Sequence, residues 1–284
     1  MSAWFSPDCL EDALALLDAH SDARLIAGGT DLLVGLRREP SDATLISLDR
    51  VAALQGIEEV DEERLTLAIG ATTRIAELAR SPLLAGRAPL LQRAACGFAA
   101  PAIRNMATIG GNLCTASPAG DCLVPLYALG AQVELVSAAG RRRLPIADFI
   151  VGPGRSALAH GEVVTRVLLP ERGPCAWQSY EKVGRRQSLA ISVVSFAGLL
   201  QLDDERRVTA AHFAWGAVGP TVVSVPGIAA ALTGRVIDPA LIESAVDRAR
   251  AAVCPIDDLR ASAAYRRALA SNLLRRFLLQ VRHG

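Results

Sequence analysis

The sequence predicts an α+β protein in which helical and strand regions follow one another without a regular alternation. The chain has 284 residues, of which 51% are hydrophobic, so it can bury the core of one large domain or of two to three small ones. Beyond residue 174 the pattern changes from short mixed elements to three successive strand patterns followed by three helical ones. Because the order is not a repeating β-α alternation, we do not expect a doubly wound parallel sheet.

The first seventy residues predict a helix, a small β-α-β-like unit and a hairpin. Residues 6–8 (Ser-Pro-Asp) supply a cap and a first-turn proline, and leucine and alanine then recur at helical spacing up to Leu17. A short strand at 23–27 runs directly into a pair of glycines. The elements that follow are a helix at 32–37, a strand at 44–48, and two hairpin strands at 57–60 and 65–69 with the acidic turn 61–63 between them.

The middle third predicts helices on both sides of a run rich in glycine, alanine and proline. Residues 73–80 and 83–95 have helical patterns, whereas 97–120 predict no regular helix. The remaining elements of this third are a helix at 122–129, a hairpin over 133–144 that turns at Ala139-Gly140, and a strand at 163–169. Residues 170–174, with a proline at each end, are the best candidate linker.

The last third predicts an antiparallel sheet followed by a helical bundle. The predicted strands are 177–183, 192–202 and 207–215, with residues 203–205 (Asp-Asp-Glu) as a turn. The predicted helices are 225–232, 239–252 and 262–281.

Charge balance and cysteine spacing exclude several classes of protein. Thirty basic residues against 29 acidic ones leave a net charge of +1, which argues against a nucleic-acid-binding or polybasic membrane-binding protein. The apolar stretches are shorter than the roughly 18 residues of a spanning helix, and the first residues lack the basic and apolar regions of a signal peptide. Six scattered cysteines without a Cys-x-x-Cys pair predict no zinc site, iron–sulfur cluster or disulfide framework. We therefore expect a soluble, cytoplasmic protein.

A first glycine pair lies in residues 27–31 (Ala-Gly-Gly-Thr-Asp), between a predicted strand and a predicted helix. Glycines there let backbone N–H groups approach an anion closely, and the helix N-terminus adds its dipole. An ordinary tight turn, capped by Thr30 or Asp31, explains the same residues without a ligand. This segment alone leaves both interpretations open.

A second glycine pair lies in residues 108–112 (Thr-Ile-Gly-Gly-Asn) and is followed by 116–121 (Ala-Ser-Pro-Ala-Gly-Asp). Few of these side chains can pack in a core, and the segment would offer N–H groups, small hydroxyls and one carboxylate. That set suits a pyrophosphate held by the backbone, with Asp121 reaching a ribose hydroxyl. Alternatively, Asp121 caps the helix that begins at Cys122.

Other motifs fail. The glycine spacing in residues 152–157 matches the dinucleotide-binding pattern. However, Pro153 removes an N–H that would bind the phosphates, and Gly161 interrupts the helix that should follow. The four histidines have no metal-ligand spacing and no evident nucleophile partner. The sequence therefore predicts neither a catalytic constellation nor a metal site in this chain.

Taken together, the two glycine segments resemble those of a known family. Residues 25–33 (Leu-Ile-Ala-Gly-Gly-Thr-Asp-Leu-Leu) resemble the first FAD motif of the flavoprotein, or medium, subunits of molybdenum hydroxylases. Residues 103–112, continued by 115–121, resemble the second FAD motif. The group includes carbon monoxide dehydrogenase, xanthine dehydrogenase and 4-hydroxybenzoyl-CoA reductase. Stretches at 161–165 and 180–186 fall where the family has further characteristic sequence, so the resemblance covers essentially the whole chain.

The resemblance implies non-covalently bound FAD and a fold to hold it. The fold is a two-part FAD-binding domain of the vanillyl-alcohol-oxidase (PCMH) type, followed by a C-terminal domain with a three-stranded antiparallel sheet and a small helical bundle. The implied limits are 1–55 for the first FAD-binding subdomain, 56–172 for the second, and 173–284 for the C-terminal flavoprotein domain. The implied cofactor-binding residues are Ile26, Ala27, Gly28, Gly29, Thr30, Asp31, Leu32, Phe98, Thr108, Ile109, Gly110, Gly111, Asn112, Ser117, Asp121, Val164 and Lys182.

The resemblance also implies roles for some of these residues. Both glycine segments would carry the pyrophosphate and neighbouring groups, with Asp121 on the ribose side. Ile109 would lie near the isoalloxazine, and Val164 would pack against the adenine or the ring system. Lys182, the single lysine of the chain, would stabilise anionic reduced flavin, although a surface salt bridge with Glu181 or Glu171 is a competing interpretation.

One departure from the family is informative. The 4-hydroxybenzoyl-CoA reductase flavoprotein carries an inserted loop with cysteines for an extra [4Fe–4S] cluster. Between residues 31 and 108 this chain has a single cysteine, Cys96, so it cannot build that cluster.

The function that the resemblance implies is electron transfer within a heterotrimer. Substrate would be oxidised at a molybdenum cofactor on a large subunit, and electrons would pass through [2Fe–2S] clusters on a small subunit to FAD here. They would leave to NAD⁺, a quinone, a carrier protein or O₂. The alternatives are a self-sufficient flavin-dependent reductase or oxidase of the same fold, and a scaffold subunit that has lost its flavin.

Overall fold

A computed structural model describes residues 3–39, 42–171, 177–186 and 190–284. By contacts, the chain forms two compact units. The first unit comprises Met1–Arg87, Ala100–Ala116 and Ala131–Glu171, and the second comprises Ala88–Ala99, Ser117–Gly130 and Arg172–Gly284. Two short segments from the middle of the chain therefore belong with the C-terminal residues. The domain limits at residues 55 and 172 stay a prediction.

The first unit begins with a three-stranded parallel sheet. Its elements are β1 (Trp4–Phe5), α1 (Leu10–Ala19), β2 (Arg24–Ile26), α2 (Leu32–Arg38) and β3 (Leu45–Ser47), followed by a 3₁₀ turn at Ala52–Leu54. The sheet order is β1-β3-β2, which confirms the predicted β-α-β unit. The sequence did not reveal β1, because two residues are too few to establish a strand pattern.

An antiparallel sheet completes the strands of the first unit. The strands are β4 (Ile57–Glu62), β5 (Leu65–Gly70), β6 (Gln132–Ser137), β7 (Gly140–Pro145), β8 (Ile150–Gly152), β9 (Arg155–Ser156) and β10 (Val163–Pro170). Five of them form a sheet in the order β4-β5-β10-β6-β7, and β8 pairs with β9. The predicted acidic turn is misplaced: β4 runs through Glu62, and the chain turns at Glu63 and Arg64, whose φ angles are 49° and 73°.

Short helices occupy most of the chain between residues 75 and 149. They are α3 (Ile75–Arg80), α4 (Pro82–Arg87), α5 (Pro89–Cys96), α6 (Pro101–Arg104), α7 (Ile109–Thr115), α8 (Leu123–Leu129) and α9 (Ile146–Phe149). The predicted single helix at 83–95 is two helices, because Pro89 cannot continue α4 and instead starts α5.

The prediction that residues 97–120 form no regular helix is wrong. Pro101 occupies the first position of α6, where its missing N–H costs nothing. The Thr108 hydroxyl caps α7 by accepting a hydrogen bond from the Gly111 N–H at 3.1 Å. Proline and glycine therefore mark helix starts here, whereas the sequence interpretation took them only as helix breakers.

The second unit is built on an antiparallel sheet. Its strands are β11 (Trp177–Val183), β12 (Val194–Leu202), β13 (Val208–Gly216) and β14 (Val223–Ser224), and its C-terminal helices are α10 (Pro226–Leu232), α11 (Pro239–Ala252) and α12 (Ala263–His283). The strands pair in sequence order. The three predicted strands are present, and the two-residue β14 adds a fourth at the β13 edge. The predicted linker begins inside β10, and its residues 172–174 lie outside the described residues.

An aromatic cluster packs α12 against the sheet of the second unit. Phe196 of β12 lies between Trp215 of β13 and Phe277 of α12, with ring centroids 5.4 and 5.9 Å away. The Trp215 indole N–H donates to the carbonyl of Ala270 in α12 at 3.1 Å. Asp238 and Ser262 cap α11 and α12 through their side chains. None of the helices in the described ranges is long and apolar enough to cross a lipid bilayer.

Candidate functional site

A row of five backbone N–H groups in the first unit has no acceptor. These groups belong to residues 27–31, in the turn that joins β2 to α2, and none of them donates to any residue that the structure describes. The segment is only half buried, and Asp31 is exposed, so water or a ligand can reach it. The first N–H groups of a helix have no partner within the helix, so those at the start of α2 are open to water or to a ligand. We call residues 27–31 the cradle and take them as the candidate segment for binding an anion or another acceptor.

Each glycine of this cradle has a separate steric reason. A Cβ on Gly28 would lie 1.8 Å from the carbonyl oxygen of Met106, so only glycine lets the two backbone segments touch. Gly29 has a φ of 66°, which side chains other than glycine adopt with strain. The turn is thus set by one close approach and one left-handed residue.

Asp31 does not play the capping role that the alternative interpretation gave it. Its carboxylate makes no hydrogen bond to the first turn of α2. Instead, Oδ2 accepts a hydrogen bond from the Thr115 hydroxyl at 2.9 Å, which ties the cradle to the end of α7. Thr30 also makes no side-chain cap within the described residues. The turn is held by tertiary contacts and not by a local cap.

In the second glycine segment, unlike the first, the backbone N–H groups have acceptors within the protein. The N–H groups of Ile109, Gly110, Gly111 and Asn112 donate to the oxygens of Thr73, Ala71 and Thr108 at 2.8–3.1 Å. A Cβ on Gly110 would lie 2.7 Å from the carbonyl oxygen of Ala71. These N–H groups are not available to a pyrophosphate, contrary to our expectation, and Gly110 is required by packing between two parts of the chain.

Side chains around the second segment are mostly buried. Thr108, Ile109 and Val164 are buried in the protein core, so their side chains do not form an exposed surface. Ile26 is also buried, and Leu32 is half buried. The amide oxygen of Asn112 is buried and has no hydrogen-bond partner in the part of the chain that the structure describes. Asn112 is the residue of this segment that retains an unused acceptor.

In the second unit, Asp121 and Lys182 form an ion pair. The Lys182 ammonium lies 2.6 Å from Oδ2 of Asp121 and also donates to the carbonyl of Gly97 at 3.1 Å. The Ser192 hydroxyl donates to Oδ1 of Asp121 at 3.0 Å. Only 10% of the Asp121 side chain and 15% of the Lys182 side chain are exposed. Burial raises the pKa of Asp121, and the Lys182 ammonium opposes this effect.

This pair replaces both local alternatives. The α8 helix has Cys122 as its N-terminal cap without a side-chain hydrogen bond, so Asp121 is not a capping residue. Among the described residues, the ion pair of Lys182 is with Asp121 and not with Glu171 or Glu181, and Glu181 pairs with Arg276 of α12. The sequence could not reveal the pair, because 60 residues separate its two partners.

The sequence did not predict three residues near the pair, namely Ser192, Tyr180 and Arg93. Ser192 binds Asp121 through the hydrogen bond given above. Tyr180 has a buried hydroxyl oxygen without a partner among the described residues, and burial together with the Asp121 charge raises its pKa. Arg93 lies on the wall of an open cleft of about 530 Å³. The cleft is lined by Arg93, Gly97, Tyr180, Lys182, Val183, Gly184, Arg186 and Ala190.

Two further predicted residues lie in the second unit. Phe98 follows α5 and is half buried, and the Ser117 hydroxyl accepts from the Ala119 N–H at 3.3 Å. The structure thus brings together Asp121 and Lys182 in one unit, and residues 27–31 with Thr115 in the other. Within the described ranges, no group of three or more His, Cys, Asp or Glu side chains is placed to hold a metal ion.

Two family models match the chain in succession. Residues 1–172 match the FAD-binding domain of molybdopterin dehydrogenases, and residues 178–281 match the C-terminal domain of the carbon monoxide dehydrogenase flavoprotein. This chain belongs to the FAD-binding medium subunits of the molybdenum hydroxylases. The family resemblance inferred from the sequence is confirmed, as is the predicted α+β fold class.

Relatives of this medium subunit match it over nearly its whole length. The nicotine 6-hydroxylase medium subunit of Paenarthrobacter nicotinovorans is 33% identical over 97% of this chain and 95% of its own. The carbon monoxide dehydrogenase medium chain of Hydrogenophaga pseudoflava is 31% identical, with the same coverage of 97% and 95%. Among solved structures, reconstituted carbon monoxide dehydrogenase from Oligotropha carboxidovorans has a chain with a TM-score of 0.91 and 29% identity, covering 100% of this chain and 98% of that one. As a medium subunit, the chain is a component of an oxidoreductase.

Proposed function

We propose that this chain is the FAD-carrying electron-transfer subunit of a multi-subunit molybdenum hydroxylase. It would receive electrons from [2Fe–2S] clusters on a small partner subunit and pass them to an external acceptor such as NAD⁺, a quinone or O₂. The large partner subunit would hold the molybdenum cofactor, and the complex would work in the cytoplasm. The observation that carries the proposal is the cradle of unused N–H groups at residues 27–31, within the matched FAD-binding region.

The residues of the cradle fit a pyrophosphate. Five consecutive N–H donors without a protein acceptor suit an anion that has several oxygens. Gly29 has no side chain over the backbone there, and the carboxylate of Asp31 is held by the Thr115 hydroxyl. Bound FAD would supply the exchange of electrons, and the chain itself would bind and orient the cofactor and tune its potential.

The remaining cofactor contacts are part of the same proposal. Asn112 offers an amide oxygen that has no protein donor, which suits an N–H or hydroxyl of the cofactor. In the second unit, the positive charge of Lys182 would stabilise reduced flavin. The contribution of Asp121 would be to hold Lys182 in place, in addition to the ribose contact that the family resemblance implies.

The first test is the visible spectrum of the purified chain, with any chromophore released by heat and identified. We expect FAD, released without proteolysis. The Gly29→Ala variant should lose at least about tenfold in FAD affinity, because a Cβ there strains the cradle at a φ of 66°. FAD content per chain after reconstitution is the measurement.

Gly35→Ala is the matched control, because Gly35 lies in α2 and an added Cβ would meet nothing within 4 Å. This variant should fold and bind FAD like the unmodified chain. A colourless chain that also refuses added FAD would overturn the proposal and favour the flavin-less scaffold. Equal FAD affinity in the two glycine variants would show that the cradle is not the binding segment.

A further inference from the structure

The carboxylate of Asp31 lies at the end of the cradle, beside the N–H groups that the proposed function assigns to a pyrophosphate. An aspartate that precedes a helix usually turns back and accepts a hydrogen bond from the first N–H groups of that helix. Asp31 occupies the capping position of α2 but makes no such bond. Its side chain is exposed, and among the residues that the structure describes no cation pairs with it. A carboxylate left free here would repel an incoming phosphate.

The hydroxyl of Thr115 binds this carboxylate. It donates to Oδ2 of Asp31 at 2.9 Å, although the two residues are 84 positions apart in the chain. A threonine in a helix can donate to a carbonyl of its own preceding turn, and Thr115 donates to Asp31 instead. The hydrogen bond therefore selects one position for the carboxylate, which is not on the first turn of α2.

The helix α7 holds Thr115 in a fixed position. The first N–H groups of α7 donate to the carbonyls of Ala71 and Thr73, which ties the start of the helix to another segment. Ala116, which ends the helix, is buried. Because Thr115 stands on this support, its hydroxyl orients the exposed side chain of Asp31.

The cradle is thus attached to the same stretch of chain near both of its ends. Near its start, the backbone of Gly28 lies directly against the carbonyl oxygen of Met106. At its end, Asp31 binds Thr115. The contact of Gly28 does not depend on Thr115, so loss of the Thr115 hydroxyl would free the carboxylate and leave the turn in place.

We propose that Thr115 is a positioning residue for the cofactor, which holds the Asp31 carboxylate aside so that its charge does not oppose the phosphates in the cradle. The proposal rests on the proposed function, because it takes the FAD pyrophosphate as the ligand of the cradle. In this arrangement Asp31 contributes its backbone N–H, and its carboxylate does not touch the cofactor. Repulsion between two unit charges about 4 Å apart in water changes an affinity by about fivefold.

The test is the affinity of the purified chain for FAD, measured by titration of the FAD-free protein. Thr115→Val keeps the shape of the side chain and removes the hydroxyl, so it should lower the affinity by about fivefold. This loss should shrink at high salt concentration, because ions screen the repulsion between exposed charges. Thr115→Ser keeps the hydroxyl and should retain most of the affinity.

Asp31→Asn distinguishes repulsion from a direct contact. This variant should raise the affinity for FAD, because it removes a negative charge beside the phosphates. Combined with Thr115→Val, it should restore most of the lost affinity. If Asp31→Asn alone lowers the affinity, the carboxylate binds the cofactor and the proposal is wrong. If Asp31→Asn does not repair Thr115→Val, or if Thr115→Val loses no affinity, the proposal is also overturned.

Thr66→Val is the matched control, because Thr66 is half buried on β5 of the same unit and lies outside the cradle and α7. It should bind FAD like the unmodified chain, and circular dichroism melts should show that all variants fold.

The same variants titrated with inorganic pyrophosphate separate this proposal from the proposed function. If the unmodified chain binds pyrophosphate but not FAD, and Thr115→Val weakens pyrophosphate binding, the result counts against the proposed function alone. If the unmodified chain binds neither ligand, both proposals are wrong.

Discussion

At the scale of single residues, the Asp121–Lys182 pair is a nearly buried ion pair of the second unit. A carboxylate that is almost completely buried needs a partner, because transfer of an isolated charge out of water costs several kcal/mol. Lys182 supplies the charge at 2.6 Å, and Ser192 supplies a hydrogen bond at 3.0 Å. The pair therefore fixes the position of the only lysine in the chain.

We expect Lys182→Met to lower the free energy of unfolding by about 3 kcal/mol at pH 7, because Asp121 would be left buried without its cation. The pKa of Asp121 is already raised, and loss of Lys182 raises it further. A group with a raised pKa in the folded state stabilises at low pH and loses that contribution as pH rises. The defect should therefore shrink as pH falls through the further raised pKa of Asp121 in the variant. Urea unfolding at several pH values is the measurement.

Two further variants separate the pair from a general effect of removing a cation. The double variant Lys182→Met with Asp121→Asn should recover most of the loss, because it leaves no buried charge. Arg276→Met removes a cation whose side chain is more than half exposed, and it should cost less than about 1 kcal/mol. Additive effects of the two substitutions would contradict the proposed coupling.

At the scale of elements, a network of charges joins four strands of the antiparallel sheet in the first unit. Glu134 of β6 accepts hydrogen bonds from Arg166 of β10 and Arg143 of β7 at 2.9–3.0 Å. Both arginines also bind Glu62 of β4. The Glu134 side chain is nearly fully buried. The Thr165 hydroxyl also donates to it, so its oxygens are satisfied.

We expect Glu134→Gln to lower the free energy of unfolding by about 2 kcal/mol at pH 7, since it removes hydrogen bonds to a charged group. Burial raises the pKa of Glu134, but hydrogen bonds from Arg166 and Arg143 outweigh it, so its pKa lies below the ordinary value. Its stabilisation is thus present above about pH 4.3 and is lost as pH falls through the lower pKa of the folded state. Urea unfolding should show the difference shrinking at acid pH.

Glu58→Gln is the control for this prediction, because Glu58 lies on β4 of the same sheet but is exposed. Glu58→Gln should change the free energy of unfolding by less than about 0.5 kcal/mol, both at pH 7 and at acid pH. If Glu134→Gln lowers the free energy of unfolding by the same amount at every pH, the network stabilises the sheet by packing and not by charge.

Element patterns predicted much of the structure, and their errors have local causes. Helix α11 at Pro239–Ala252 coincides with its prediction, because Asp238 caps it and proline begins it. The missed helix α7 begins with Ile-Gly-Gly, which has low helix propensity and gave no signal. The Thr108 cap stabilises that helix, and so do the hydrogen bonds from the first N–H groups of the helix to the carbonyls of Ala71 and Thr73. Tertiary contacts thus override low helix propensity where a glycine packs against another segment of the chain.

At the scale of the whole molecule, the sequence predicts no catalytic residues in this chain, and this stays a prediction. The charged clusters described above are bonded internally and hold strands or loops together. In the proposed function, this chain carries the cofactor and another chain performs the chemistry on substrate.

We expect the isolated chain, loaded with FAD, not to oxidise substrate beyond the rate of free FAD. The compounds to assay are those named for its relatives: nicotine, nicotinate, xanthine and carbon monoxide. The reassembled complex should turn over its own substrate in the same assay. Appreciable turnover by the chain without partner subunits would favour a self-sufficient flavoenzyme.

The sequence by itself determined the family, the fold class and many of the longer elements, and it identified both glycine segments as candidates, because these patterns depend on residues that are close in the chain. Only the tertiary structure decided which of two similar glycine segments keeps its N–H groups free. It also showed that Asp121 pairs with Lys182. Hydrogen bonds and ion pairs join residues far apart in the chain, so their partners are fixed only when the chain is folded.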